Sequence, residues 1–203
     1  METKTAKQIQ SDQTRLRIVE AATKLFARKG FYGTSIAALA EATGLTKGAF
    51  YHHFESKEAI FFAVVETVRA LWARSVAREV AQGKGALAQI ETLLDSHTHL
   101  LRENEMLCLV MSNLMLEMED LNPAYAKVLQ QVYRDLTLFI ERIVREGQKA
   151  AAIRSDVNPR LVAINIVAML KGIGCSPALS RMGADRLELT GALKQVLIDG
   201  LRP

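Results

Sequence analysis

GFYGTSIAALAEATGLTKGAFYHHFESK, residues 30–57, decides how the chain is read. A glycine between two short helical patterns supplies the positive φ that a tight interhelical turn needs, and Thr43-Gly44-Leu45 stands between two such patterns. Before it, Ile36, Leu39 and Ala40 recur at helical spacing behind Thr34 and Ser35, either of which can cap the first free amides. After it, Thr46 can cap a second, very short helix whose apolar positions, Phe50 and Phe54, are four apart and share a face. Leu45 plugs the angle between the two helices. The spacing predicts a helix-turn-helix.

The other face of the second helix carries Thr46, Lys47, Gly48, Ala49, Tyr51 and His52. Lysine can donate to phosphate or to guanine in the major groove, and threonine, tyrosine and histidine donate mostly to phosphates. Gly48 and Ala49 allow close approach of the backbone. A helix from Thr46 to His53 is about 12 Å long, which matches the width of a major groove. Thr34 and Ser35 at the entry of the first helix, and Lys57 behind the capping Ser56 of a third, complete the expected DNA contacts. An ordinary helical hairpin with a solvated polar face would produce the same spacing, because helix-turn-helix patterns are loose.

Residues 12–65 resemble the DNA-binding domain of the TetR family of bacterial transcription repressors, with Phe26, Gly30, Thr34, Gly44, Lys47, Gly48, Tyr51, His52, Phe54, Lys57 and Glu58 matching its pattern. His53 departs from it, since a tyrosine or another ring often stands there. The resemblance covers the first third of the chain. It implies an all-α homodimer that binds a palindromic double-stranded DNA operator and leaves it when a small-molecule effector enters the larger domain. The expected division is residues 1–57, a three-helix DNA-binding domain with an N-terminal arm, and residues 58–203, an effector-binding and dimerisation domain.

The composition, 49% hydrophobic and 24% charged, is that of a globular protein. The first 58 residues carry nine Lys or Arg against six Asp or Glu, and the other 145 carry seventeen against sixteen, so most of the formal excess of +4 falls at the proposed DNA end. No signal-like segment or long apolar run occurs, so the expectation is a cytoplasmic protein that does not enter a membrane. Cys108 and Cys175 make neither a disulfide framework nor a zinc pattern, and both are expected as thiols.

Residues 1–11 are polar and read as a mobile arm, either a solvated tail or one lying along the phosphate backbone. Ile18, Ala21, Ala22, Leu25 and Phe26 then form one helical stripe, with Arg15, Arg17, Lys24, Arg28 and Lys29 off it on a solvated face whose N-terminal members could touch phosphate. A long helix continues from Lys57 to about residue 82 and joins the two domains. Further helices are expected over residues 87–102, 106–118, 123–149, 159–175 and 185–201, with Pro123 and Pro159 in first turns. No β pattern competes.

Leu161, Ala168 and Gly172 on one of the last two helices, and Leu189, Leu193, Val196 and Leu197 on the other, form stripes suited to a dimer interface; core packing is the plain alternative. In the resembled family the final two helices pair with their copies as a four-helix bundle. For the effector, Met106, Cys108, Met111, Met115 and Met118 crowd one helix expected to face Trp72, His97 and Tyr133, and methionines adapt to varied apolar ligands. Asn113, His99 and Glu117 are candidate orienting groups. The ligand expected is largely apolar with one or two hydrogen-bonding groups.

Enzyme motifs are absent: there is no Walker loop, dinucleotide fingerprint, Gly-x-Ser-x-Gly elbow or His-Glu-x-x-His. Asp95 and His99 could share a metal but lack further partners, so neither metal nor cofactor is expected. The rival functions are a DNA-anchored assembly protein that does not switch, a repressor that senses electrophiles through a Cys108 thiolate and, further off, a helical enzyme whose three-helix start is only structural.

Overall fold

The structure is a computed structural model describing residues 5–175, 183 and 185–203. Every regular element among the described residues is helical. Helix α1 (Ala6–Lys29) is followed by α2 (Ile36–Thr43), α3 (Lys47–His53) and α4 (Lys57–Trp72). A π-turn, Ala73–Ala77, carries α4 into the short α5 (Arg78–Val80). Then come α6 (Ala86–Glu103), α7 (Met106–Leu121), α8 (Pro123–Lys149), α9 (Pro159–Cys175) and α10 (Arg186–Leu201).

Residues 6–11, expected within a mobile arm, are instead the first turns of α1. The cause is local: Thr5 and Gln8 form a reciprocal capping box that satisfies free amides at the helix start. Ser35, Thr46 and Ser56 cap α2, α3 and α4 through their hydroxyls. Asn122 caps α8 ahead of Pro123, and Asp185 with Glu188 makes a second capping box at α10.

Two cores divide the chain. The first gathers Ile18, Ala22 and Phe26 of α1, Leu39, Phe50, Phe54, and Ile60, Phe61 and Val64 of α4. Helices α7 and α8 add Val110, Leu114, Met118 and Leu129 to that same cluster. The division expected at residue 57 therefore crosses a shared core. The second core joins Val76, Val80, Ile90, Leu94, Ile140, Val144, Ile166 and Ile198.

The π-turn explains how α4 and α5 serve both cores. Trp72, Val76 and Val80 are four apart, and at 3.6 residues per turn each such step drifts by about 40°. A π-turn holds one extra residue, which takes out that drift. Val76 and Val80, 0% and 1% exposed, stay on the inward side.

Candidate DNA-reading face and ligand cavity

Gly44 adopts φ 69° and ψ 23°, the left-handed turn required of it, and its amide closes α2 on the carbonyls of Ala40 and Glu41. The Thr46 hydroxyl accepts from Ala49 N at 3.2 Å, which starts α3. Phe50 and Phe54 are buried, so the opposite face of α3 turns outward: Thr46, Lys47, Gly48, Tyr51 and His52 are exposed and Ala49 is half-buried. A Cβ at Gly48 would meet nothing within 4 Å, so the backbone is open to approach at this point of the face.

Helix α1 holds this unit from behind. Arg17 donates to Thr43 O at 2.8 Å, and Arg15 donates to His53 O with its guanidinium 4.1 Å from the Phe54 ring centroid. Both arginines thus satisfy carbonyls at helix C-termini, where cations are favoured, rather than forming a merely solvated face. Burial, then the adjacent His52 and Arg15, lower the pKa of His53.

Two expected DNA contacts have other partners. Thr34 is buried and donates its hydroxyl to Gly30 O at 2.8 Å. Lys57 donates to Phe31 O at 2.9 Å and Thr34 O at 3.0 Å, with its ammonium 4.3 Å from the Phe31 ring centroid. The α1–α2 turn leaves carbonyls without helical partners, and Lys57 supplies the donor. Thr34, being buried, is corrected from a DNA contact to a support of that turn, and Lys57 supports the turn as well. Ser35 remains exposed, with its hydroxyl accepting from Ala38 N.

The same turn is bolted to α7. Glu117 accepts from Phe31 N at 2.6 Å and Tyr32 N at 2.9 Å, and Asn113 donates to Ala27 O. Gly30, at φ 73°, lies so close that a Cβ there would stand 2.7 Å from Glu117 Oε2. Asn113 and Glu117, four apart on one face, are therefore not ligand-orienting groups.

The opposite side of α7 borders a cavity of about 340 Å³ among α4, α6, α7, α8 and α9. Of the residues expected there, Trp72, His97, Cys108, Met111 and Tyr133 line it. Met106, Met115 and Met118 do not; they pack in or against the first core, on other sides of the helix. The sequence reading missed Val68, Leu107, Val132, Leu136, Val167 and Leu170, which four separate helices bring together. Arg69 and Asp135, paired at 3.2 Å, and the exposed Lys171 stand at the rim. His99 is exposed elsewhere on α6.

Burial lowers the His97 pKa from the ordinary 6.5 to about 4, so its ring is neutral near pH 7. Because the unfolded chain takes up that proton first, stability is fully present above about 6.5 and falls as pH drops toward 4, by roughly 3 kcal/mol at most. Unfolding curves at pH 7.5 and pH 5 should show the loss, and His97→Gln should flatten it; an equal slope in the variant would exclude His97 as its source.

Cys108 is disulfide-bonded, which corrects the expectation of two thiols and removes the thiolate that electrophile sensing requires. The sequence distance to α9 misled: a Cβ on Gly174 would stand 3.0 Å from Cys108 Sγ, so the end of α9 packs directly on α7. The side chain of Cys175 lies outside the described residues. Asp95, considered as a metal ligand, accepts twice from Lys194 at 2.8 and 3.0 Å. Among the described residues no group of three His, Cys, Asp or Glu side chains could hold a metal, and no helix is long and apolar enough to cross a membrane.

Helices α9 and α10 expose an apolar face. Leu161 is 57% exposed, Ile164 44% and Val196 74%, with Ala168 and Gly172 also outward. Leu189 is half-buried. Leu193 and Leu197 are also half-buried and pack in part against the second core. A helix apolar on several sides does not announce which side its own core takes.

Comparison with known proteins follows the same division. The family model described as bacterial regulatory proteins, tetR family, matches residues 18–64, and the one described as tetracyclin repressor-like, C-terminal domain, matches residues 86–185. The chain is 28% identical over 169 residues to the HTH-type transcriptional regulator UidR of Escherichia coli, covering 82% of each. It is 27% identical over 180 residues to the HTH-type transcriptional repressor DhaR of Mycobacterium sp. (strain GP1), covering 85% of this chain and 83% of that one. Among solved structures, a TetR transcriptional regulator from Chloroflexus aurantiacus superposes with a TM-score of 0.78 at 28% identity, covering 94% and 95% of the two chains.

Proposed function

Since the chain belongs to the TetR family of bacterial regulatory proteins, whose members regulate transcription and are not catalysts, we propose that it is a repressor that binds a palindromic operator as a homodimer and is released by a mostly apolar small molecule. The observation that carries this reading is the outer face of α3, where Lys47, Gly48, Tyr51 and His52 are exposed beside a backbone open to close approach. Residues 1–57 and the first half of α4 form the DNA-reading unit, and the rest holds the effector and the partner. Thr46, Ala49 and Ser35 border the same face and complete the contact set. Two copies joined through α9 and α10 would carry their α3 helices into successive major grooves, about 34 to 36 Å apart. The cavity supports the effector reading because α7 meets it with one side and the DNA-reading unit with the other.

Selection of bound duplexes from a random library should return a palindrome, and an unstructured pool would defeat the proposal. On the selected site Lys47→Ala should cost about 1 to 3 kcal/mol and relax sequence preference, because a lysine on a base edge carries both affinity and choice. Competition between the site and scrambled duplexes measures it. Uniform weakening across sequences would make Lys47 a phosphate contact instead.

A further inference from the structure

We propose that the cavity takes an uncharged, compact apolar molecule carrying a hydroxyl or carbonyl oxygen, held at that oxygen by the indole N–H of Trp72 and Nδ1 of His97. This rests on reading the cavity as the effector site and adds the chemistry of its occupant. Among the described residues, two buried side-chain atoms have no hydrogen-bond partner: Trp72 Nε1 and His97 Nδ1. Both residues line this cavity. Buried polar groups in folded proteins are satisfied with few exceptions, so two exceptions in residues of one cavity's wall point to what enters it; both nitrogens are covered here, and each ring must turn toward the oxygen as it binds.

The two nitrogens restrict the ligand's polar group. Trp72 Nε1 can only donate, whereas His97 Nδ1 donates or accepts according to which ring nitrogen holds the proton. A carbonyl oxygen can accept from both. A hydroxyl can accept from the indole and donate to an unprotonated Nδ1. The other polar wall groups are engaged: the Tyr133 hydroxyl bonds Ser112, and Arg69 pairs with Asp135. Lys171 holds its ammonium 5.2 Å from the Tyr133 ring centroid, and its side chain is exposed at the rim.

An acid is disfavoured in either orientation. With its carboxylate at Lys171 it would leave both inner nitrogens unmet. With the carboxylate inside, it would give up hydration to an apolar wall where the histidine is neutral. A plain hydrocarbon gains the apolar contact and satisfies neither nitrogen.

Trp72 is the chain's one tryptophan, so intrinsic emission reports on this cavity. Four probes share one skeleton: cyclooctanone, cyclooctanol, cyclooctane and cyclooctanecarboxylate. The ketone and the alcohol should shift Trp72 emission saturably in the full-length protein. By calorimetry, Trp72→Phe should weaken both by roughly five- to tenfold relative to cyclooctane, the equivalent of one hydrogen bond. Cyclooctane binding to the variant checks that the cavity is intact. The proposal is overturned if none of the four binds, if the carboxylate binds most tightly, or if Trp72→Phe shifts all four alike. Release of a labelled operator is measured separately. Ligands that bind as described yet release nothing would uphold the ligand chemistry and defeat the effector-site reading.

Discussion

Val196→Glu is expected to give a folded monomer whose operator affinity is lower by about a hundredfold or more. In the single chain Val196 is 74% exposed, so the carboxylate replaces a surface side chain and folding stability should change by no more than about 0.5 kcal/mol. In a two-fold dimer through α9 and α10 the substitution enters the interface twice, and burying an unpaired charge there costs several kcal/mol per copy. The operator consequence follows from linkage: two half-site contacts on one body gain about 10² to 10⁴ in avidity over one. Sedimentation, circular dichroism and duplex binding on the same preparation separate these effects. A variant that remains dimeric and binds normally would remove Val196 from the interface. Val196 is a cleaner probe than Leu193 or Leu197, whose substitution would also damage the second core.

Glu117→Ala is expected to release the α1–α2 turn from α7. The carboxylate is a charged acceptor for two backbone amides, Phe31 N and Tyr32 N, and bonds to charged groups contribute about 1.5 to 3 kcal/mol each. Allowing for solvent, which reaches this half-buried site, the net loss should be about 2 to 4 kcal/mol. Operator affinity should fall because α2 and α3 follow that turn directly in the chain. Glu117→Gln keeps one good acceptor oxygen and should lie between wild type and alanine. Unfolding monitored by hydrogen exchange should show the loss concentrated in residues 18–54, with the second core little changed. Uniform destabilisation, or none, would mean that Glu117 does not fasten the DNA-reading unit.

The parts of the fold that could be read directly are those whose cause is local. Gly44, the caps at Ser35, Thr46 and Ser56, and Pro123 behind Asn122 each act within a few residues, and the helices they bound agree with the spacing. The misreadings involve partners far apart in the chain. Lys57 looks like a phosphate ligand alone until the carbonyls of Phe31 and Thr34, 26 and 23 residues away, come beneath it. Glu117 looks like a ligand-orienting group until the amides 85 and 86 residues earlier reach it. Composition does not distinguish the sides of a helix, so the methionines of α7 look like one set; only Met111 of the four named reaches the cavity. Thr5 with Gln8 is also a local signal, a capping box, but the polar composition of residues 1–11 suggests an arm.

The π-turn at Ala73–Ala77 bears on how the chain tolerates changes of length. It stores one surplus residue between two stretches of helix that already face the right way. A gene one codon shorter here would encode an ordinary α-turn and still present Val76 and Val80 to the same neighbours, whereas a codon lost elsewhere in α4 would rotate everything after it by about 100°. The connector thus has a built-in slack of a single residue, at the joint between its two packed halves.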